Sequence, residues 1–470
     1  MNIQIMLKLL HTLERLRKHE SWTRSQLEAH QAEALHHLHQ YTYERSPFYQ
    51  KFHKGLTERP LHELPVLTKA MMMEHFDELV TDRTLHLEDV RAYAAQGEAG
   101  QRYQNRYWVN ATSGSSGHPG FFLFDETEWT YVLASFARSQ EWSGVRIDLT
   151  HRQRMATVAS ISPWHMSSQV AASVKSWWRP SMRLPASQPL SQTVGQLNEW
   201  QPEALIAYAS MTGILAEEQL AGRLRINPKV VYASSEILTP QTINLVREAW
   251  GDEPFNQYAA TETASIAAKH KSCRRMHFFD DLVITEVVDE QYRPVPPGEY
   301  GAKLLVTTLF SRTQPLIRYE LNDSVRMSTE VDACGLPFAV LESIQGRVED
   351  TLIMPTVSGG KVTVRPLVFN RIMDIVPVGG WQVDQQADNG LVVLLTGVRD
   401  GLTDEALVDQ LLHSLAQEGA RAPYIRVQHV SAIPKSASGK TPLIRAYRLV
   451  PSTPAVLSLN KVALYSSQAW

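Results

Sequence analysis

The stretch VNATSGSSGHPGFFLF, residues 109–124, decides how the rest of the chain is read. Between Thr112 and Gly120 it holds the glycines Gly114, Gly117 and Gly120 and the hydroxyl residues Thr112, Ser113, Ser115 and Ser116, and it then runs straight into the apolar FFLF. Glycine lets successive backbone N–H groups turn toward one point, and the hydroxyls add donors, so the loop suits a phosphate. It is not the glycine-lysine loop that opens a helix in many nucleotide-binding proteins, because these glycines lead into a strand. SGKT at 438–441 fails that motif too, since Pro434 stands where its first glycine belongs. Ser115 lacks the G-x-S-x-G setting of a hydrolase nucleophile. Taken alone, the loop also reads as a flexible surface linker.

Around this loop the chain alternates. From about residue 120 to 320, short apolar runs (FFLF, RMATVAS, ALIAYAS, KVVYASS, KLLVTTL) are separated by helical patterns (TEWTYVLASFARSQEW, PQTINLVREAW), the rhythm of a layered α/β protein. Upstream, residues 1–20 read as an amphipathic helix. Residues 23–45 read as a second helix, with Thr23 and Gln26 as a capping box and Leu27, Ala34, Leu35, Leu38 and Tyr41 at helical spacings. After ESIQGRVED the texture changes to hairpin-like strands with one helix, TDEALVDQLLHSLAQEGA. These changes predict an α/β chain with a large multi-sheet N-terminal domain rich in helices over 1–345. A small α+β C-terminal domain follows over 346–450, and a tail over 451–470.

Composition excludes several classes. The chain has 470 residues, 43% of them hydrophobic, enough for more than one core. Lys and Arg number 46 against 49 Asp and Glu, so bulk charge calls for neither a nucleic-acid groove nor an anionic membrane, and a charged ligand must be met locally. Cys273 and Cys334 are the only cysteines, which rules out a disulfide framework and suits a cytoplasmic protein. No run reaches the roughly 18 apolar residues that span a bilayer.

Five further segments follow the loop in order: VVYASSEIL (230–238), FNQYAATET (255–263), PLIRYELNDSV (315–325), QGRVED (345–350) and PKSASGKTPLIR (434–445). Together they resemble the adenylate-forming superfamily of acyl-CoA ligases, adenylation domains and luciferases, and most of all its phenylacetate-CoA ligase branch. SPFYQKF (46–52) and LPVLTKAMMMEHFDEL (64–79) resemble the N-terminal helical region of that branch.

The resemblance implies that ATP and Mg²⁺ activate a carboxylic acid as its acyl-adenylate, which is then passed to the thiol of CoA. An amine or a carrier protein is the alternative acceptor, and a non-catalytic nucleotide-binding relative the alternative class. It implies that Thr112, Ser113, Gly114, Ser115, Ser116 and Gly117 wrap the β- and γ-phosphates. Tyr258 would lie on the adenine, with Ala233, Ser234 and Ser235 as the opposite wall. Thr261 would touch the α-phosphate, Glu262 would ligate Mg²⁺, and Asp323 would accept from both ribose hydroxyls. Arg347 would reach ribose and phosphate, and Lys440 would be carried onto the reacting groups by the mobile C-terminal lid. Three positions depart from the pattern: no lysine flanks Pro119, Ala259 replaces a glycine, and Glu349 stands at the hinge.

The acid pocket is expected beside ALIAYAS, where Ser210, Met211 and Ile214 follow a strand-to-helix switch, with His165 as a gate and Trp164, Trp177 and Trp178 lining an aryl-sized space. An aromatic acid is the expected substrate. Cys273, His277 and Cys334 resemble a structural Zn²⁺ site of some members of the branch, with Asp332 or His270 as the further ligand; two inert buried cysteines are the alternative. A homodimer is a possible assembly.

Overall fold

The computed structural model describes residues 3–112, 119–145, 152–174, 179–273, 275–330, 334–347, 350–399, 401–436 and 438–447. The expected positions Ser113, Gly114, Ser115, Ser116, Gly117, Trp177, Trp178, Asp332 and Glu349, and the tail from 451, lie outside them.

Local sequence accounts for where the helices begin. Thr23 and Gln26 form the expected capping box at the start of Arg24–Arg45, and Asp125 with Glu128 forms another at the start of Glu126–Trp142. Thr239 accepts from the Thr242 N–H ahead of Pro240–Trp250, which opens on a proline and ends at Gly251 in the left-handed region, with φ 85°. The N-terminal helix Ile3–His19 buries Leu9, Leu13 and Leu16. Its last residue, His19, bonds Asp281 at 2.8 Å, and Asp281 in turn receives both guanidinium nitrogens of Arg138 at 2.8 and 2.9 Å.

The centre is a nine-stranded mixed sheet in the order Asp323–Met327, Val340–Arg347, Met276–Phe278, Ala264–Lys269, Phe255–Ala260, Val230–Ser234, Ala204–Tyr208, Met155–Ala159 and Ser181–Pro185. The last five strands of that order run parallel, with helices between them in sequence, and the others are antiparallel. This is the expected α/β architecture. The parallel strands are small and β-branched (VVYAS, ALIAY, MATVA) and almost wholly buried, as strands covered on both faces must be.

Beside the sheet, Trp108–Ala111 pairs antiparallel with Phe121–Phe124, Ala111 opposite Phe121, as a hairpin whose connecting residues 113–118 lie outside the described residues. The Gln314 side chain satisfies one edge of that hairpin, donating to Phe121 O at 3.1 Å and accepting from Leu123 N at 3.0 Å. From Leu352 onward, a four-stranded sheet and the helices Pro366–Met373 and Asp404–Gln417 enclose a second core that includes Phe369, Trp381, Val393 and Leu411. Among the described residues, no helix is long and apolar enough to cross a membrane.

Candidate functional site

A parallel sheet leaves a crevice outside the carboxyl ends of its strands, where the chain turns away and backbone groups lack partners. Here that crevice opens into a cavity of 2440 Å³, closed on the far side by the C-terminal portion of the chain. Ser234 and Ser235 follow one parallel strand, Ser210 and Ile214 the next, and His165 a third; Thr261 and Glu262 follow Phe255–Ala260. The turn at Ser235 is tight enough to hold a non-glycine residue at φ 66°.

Asp323 and Arg347 sit directly across from one another on adjacent strands. The pairing leaves Arg347 Nε 3.3 Å from Asp323 Oδ1, while the Tyr258 hydroxyl donates to Oδ2 at 2.6 Å. Burial pushes the Tyr258 hydroxyl well above its ordinary pKa, with the Asp323 charge acting the same way, so it stays a donor. Each carboxylate oxygen has two lone pairs, so Asp323 keeps acceptor capacity toward the cavity. Glu262 opens on the cavity but is packed round by protein, and that desolvation raises its pKa, opposed by the cations Arg347 and Lys69.

Lys440 enters this space from the turn Ser436–Lys440, closed by Ser436 N to Lys440 O at 2.7 Å. Its ammonium lies 5.6 Å from the centre of the Tyr208 ring. Burial lowers its pKa and Arg347 adds to this, while Glu236 and Asp323 favour the charged form. Gly439 makes the approach possible. It has φ 82°, and a Cβ there would stand 2.7 Å from the Ala186 Cβ on the large-sheet side. Burial lowers the pKa of His165, and the nearby cations Lys440 and Arg183 add to this.

The ends of the phosphate-type loop are pinned together: Gly120 N donates to Thr112 Oγ1 at 2.8 Å and Thr112 N to Gly120 O at 3.0 Å. Lys69 Nζ donates to the same Thr112 Oγ1 at 3.3 Å. Gly120 leaves room for its stem, since a Cβ at 120 would lie 3.0 Å from Lys69 Cε. The positive charge absent from the loop is thus brought to its foot by the segment LPVLTK.

Three residues expected to line the cavity point elsewhere. Met211 packs into the core with Leu215, because on the helix Ala209–Leu220 only the face carrying Ser210 and Ile214, four residues apart, meets the cavity. The Ala233 side chain is wholly buried within its strand. Trp164 packs on Tyr93 instead of lining the cavity, with ring centroids 5.5 Å apart. Conversely, Lys69, Tyr208 and Glu236 face the cavity without having been singled out. A signal existed for Glu236, a lone acid after a buried strand in ASSEIL.

A separate cluster lies where the strands Ala264–Lys269 and Met276–Phe278 connect. Ligand atoms of His270, Cys273 and Cys334 all lie within 4.8 Å of one another. His277 Nε2 is 3.2 Å from Cys273 Sγ and 3.4 Å from Cys334 Sγ. Around a tetrahedral zinc, with Zn–S about 2.3 Å and Zn–N about 2.0–2.1 Å, sulfur and nitrogen ligands stand about 3.5 Å apart, which the two His277–cysteine separations match. The other His277 nitrogen faces Phe338 O at 3.3 Å, which fixes the tautomer that turns Nε2 to the sulfurs. Of the two further candidates, His270 lies with the two cysteines, and Asp332 lies outside the described residues.

No protein-family model matches the sequence. Over 380 residues the chain is 23% identical to a phenylacetate-coenzyme A ligase of Thermus thermophilus, covering 76% of this chain and 78% of that protein. It superposes on a crystal structure of 2-hydroxyisobutyryl-CoA ligase in the postadenylation state with a TM-score of 0.70, at 18% identity over 92% of each chain. On the same ligase in the thioesterification state, also over 92% of each chain and at 19% identity, the TM-score is 0.57. The chain is therefore a homologue of phenylacetate-coenzyme A ligase built on the fold of the adenylate-forming CoA ligases.

Proposed function

We propose that this protein is an ATP-dependent, AMP-forming acid–thiol ligase acting on an aromatic or similarly apolar carboxylic acid. A carboxylate oxygen attacks the α-phosphorus of ATP, the bond to the β-phosphate breaks, and pyrophosphate leaves. The CoA sulfur, losing its proton, then attacks the acyl carbon and AMP departs. The carrying observation is the meeting of Lys440 with Tyr258, Glu262, Asp323 and Arg347 in one cavity at the strand ends.

In this reading the protein supplies position and charge rather than a covalent partner. Asp323 accepts from the ribose hydroxyls, the Tyr258 ring covers the adenine, and Ser234 and Ser235 form the opposite wall. Lys69 and the loop from Thr112 through Ser113, Gly114, Ser115, Ser116 and Gly117 hold the β- and γ-phosphates. Thr261 and Arg347 take the α-phosphate side. Ser210, Ile214 and His165 border the acid. Glu262 fits Mg²⁺, which would supply charge neutralisation at the phosphates and hold the carboxylate ionised against its burial.

Residues 346–450 act as the lid that carries Lys440, and the better superposition on the postadenylation state agrees with its place inside the cavity. His270, Cys273, His277 and Cys334 would hold a structural zinc. Cys273 and Cys334 form no disulfide, which suits a cytoplasmic enzyme. The test is pyrophosphate release with MgATP over a panel of aromatic, hydroxy, fatty and amino acids, with and without CoA, and the product mass. Acid-dependent release with a CoA thioester is expected. Release without thioester moves the acceptor to an amine or carrier, and no acid-dependent release overturns the enzyme reading.

A further inference from the structure

Glu236 stands between the large-sheet side and the C-terminal side of the cavity, and no role in the ligase reading uses it. One carboxylate oxygen, Oε2, accepts from Ser210 N at 2.9 Å and from Ser210 Oγ at 2.6 Å. The other, Oε1, accepts the backbone N–H of Thr441, the residue after Lys440, at 2.6 Å. The first pair caps the helix Ala209–Leu220, whose own preceding residue, Tyr208, offers no side-chain cap. The last bond crosses from the body to the turn that presents Lys440.

Resting on the ligase reading, we infer that Glu236 is a positioning residue that latches the lid turn and so fixes Lys440 over the reacting groups in the adenylation half-reaction. The geometry gives it both ends of that task. Through Ser210 it is anchored on the wall of the acid pocket, and through Thr441 it holds the chain one residue from the ammonium. Its negative charge also favours the ammonium form of Lys440. Other bonds join the two parts, among them Lys435 Nζ to Ala186 O at 3.0 Å and Gln241 Nε2 to Met373 O at 2.5 Å. Among the described residues, the Glu236 bond is the one that reaches the residue next to Lys440.

Two measurements on the full chain test this. The first needs no substrate: hydrogen exchange of the peptide spanning 438–447 in wild type, Glu236→Gln and Glu236→Ala. Loss of a charge-assisted bond to the Thr441 amide is expected to speed its exchange by about 10-fold or more in Glu236→Ala, with Glu236→Gln between, and equal exchange in all three overturns the latch. The second is phenylacetate-dependent ATP–pyrophosphate exchange, set against conversion of synthetic phenylacetyl-adenylate and CoA to thioester.

Glu236→Gln is expected to lose about 10- to 100-fold in the first half-reaction and to stay within about 2-fold in the second. Combined with Lys440→Ala it should add almost nothing, because it acts through that lysine. Equal losses in both half-reactions, or full additivity with Lys440→Ala, mean a general structural role and overturn the inference. If wild type exchanges pyrophosphate with none of the panel acids, the ligase reading fails and the inference that rests on it fails too, whatever the peptide exchange shows.

Discussion

Lys69→Met removes the only charge that the described structure brings to the foot of the phosphate-type loop, while keeping the length of the side chain. Its Nζ lies 3.3 Å from Thr112 Oγ1, where the loop begins, so a β- or γ-phosphate cradled by that loop would stand within about one hydrogen bond of the ammonium. Unit charges about 4 Å apart interact by about 4 kcal/mol at an effective dielectric of about 20. Desolvation and salt reduce this toward the roughly 1.5–3 kcal/mol of a hydrogen bond to a charged group, or about 10- to 150-fold in affinity. The assay is calorimetric titration with MgATP and, separately, AMP. ATP affinity is expected to fall within that range and AMP affinity to change by less than about 2-fold, because AMP lacks the phosphates concerned. Equal ATP affinities for variant and wild type would refute the assignment of Lys69, and equal losses for ATP and AMP would place the lysine elsewhere.

The remaining expectations concern stability and metal. Asp281→Ala strands the fully buried Arg138, so urea unfolding should show a loss of about 3–5 kcal/mol, with MgATP binding retained in the folded fraction; a loss below about 1 kcal/mol contradicts the network. His53, paired with His39 Nε2 at 3.0 Å, has its pKa lowered to about 3 by burial. A lowered folded-state value means the unfolded chain binds the proton first, so stability is lost as pH falls from about 6.5 toward 3. Between pH 7.5 and 5.5 this amounts to about 1.4 kcal/mol, which a His53→Gln variant should not show in urea titrations; an identical pH slope counts against it. Protein purified without chelator or histidine tag should carry about one zinc per chain and lose it in Cys273→Ser; substoichiometric zinc in wild type removes that site.

What was legible in the sequence was local. The capping box at Thr23 and the apolar strand that follows the glycine-serine stretch are written in neighbouring residues, and they stand where expected. The burial of the parallel strands on both faces follows from their small, β-branched texture, and the site residues at their carboxyl ends follow from the turns after them. What was not legible depends on long-range approach. Lys69 and Thr112 are 43 positions apart, and nothing in LPVLTK says which loop its ammonium meets. Glu236 and Thr441 are 205 positions apart, and their bond exists only because the C-terminal portion folds back over the sheet. Met211 was misplaced for a different reason: a strand-to-helix switch identifies the pocket helix but leaves open which side of it faces inward, and one residue of rotation, about 100°, separates Ser210 from Met211.

The most direct measurement compares wild type with Lys440→Ala in the two half-reactions separately, using ATP–pyrophosphate exchange with the best acid of the panel and thioester formation from its synthetic adenylate. Lys440 is expected to be needed where charge develops at the α-phosphate, so exchange should fall by at least about 100-fold while thioester formation from the adenylate stays within a few-fold. A Lys440→Ala enzyme that exchanges pyrophosphate at the wild-type rate, or that loses both half-reactions equally, would contradict the account.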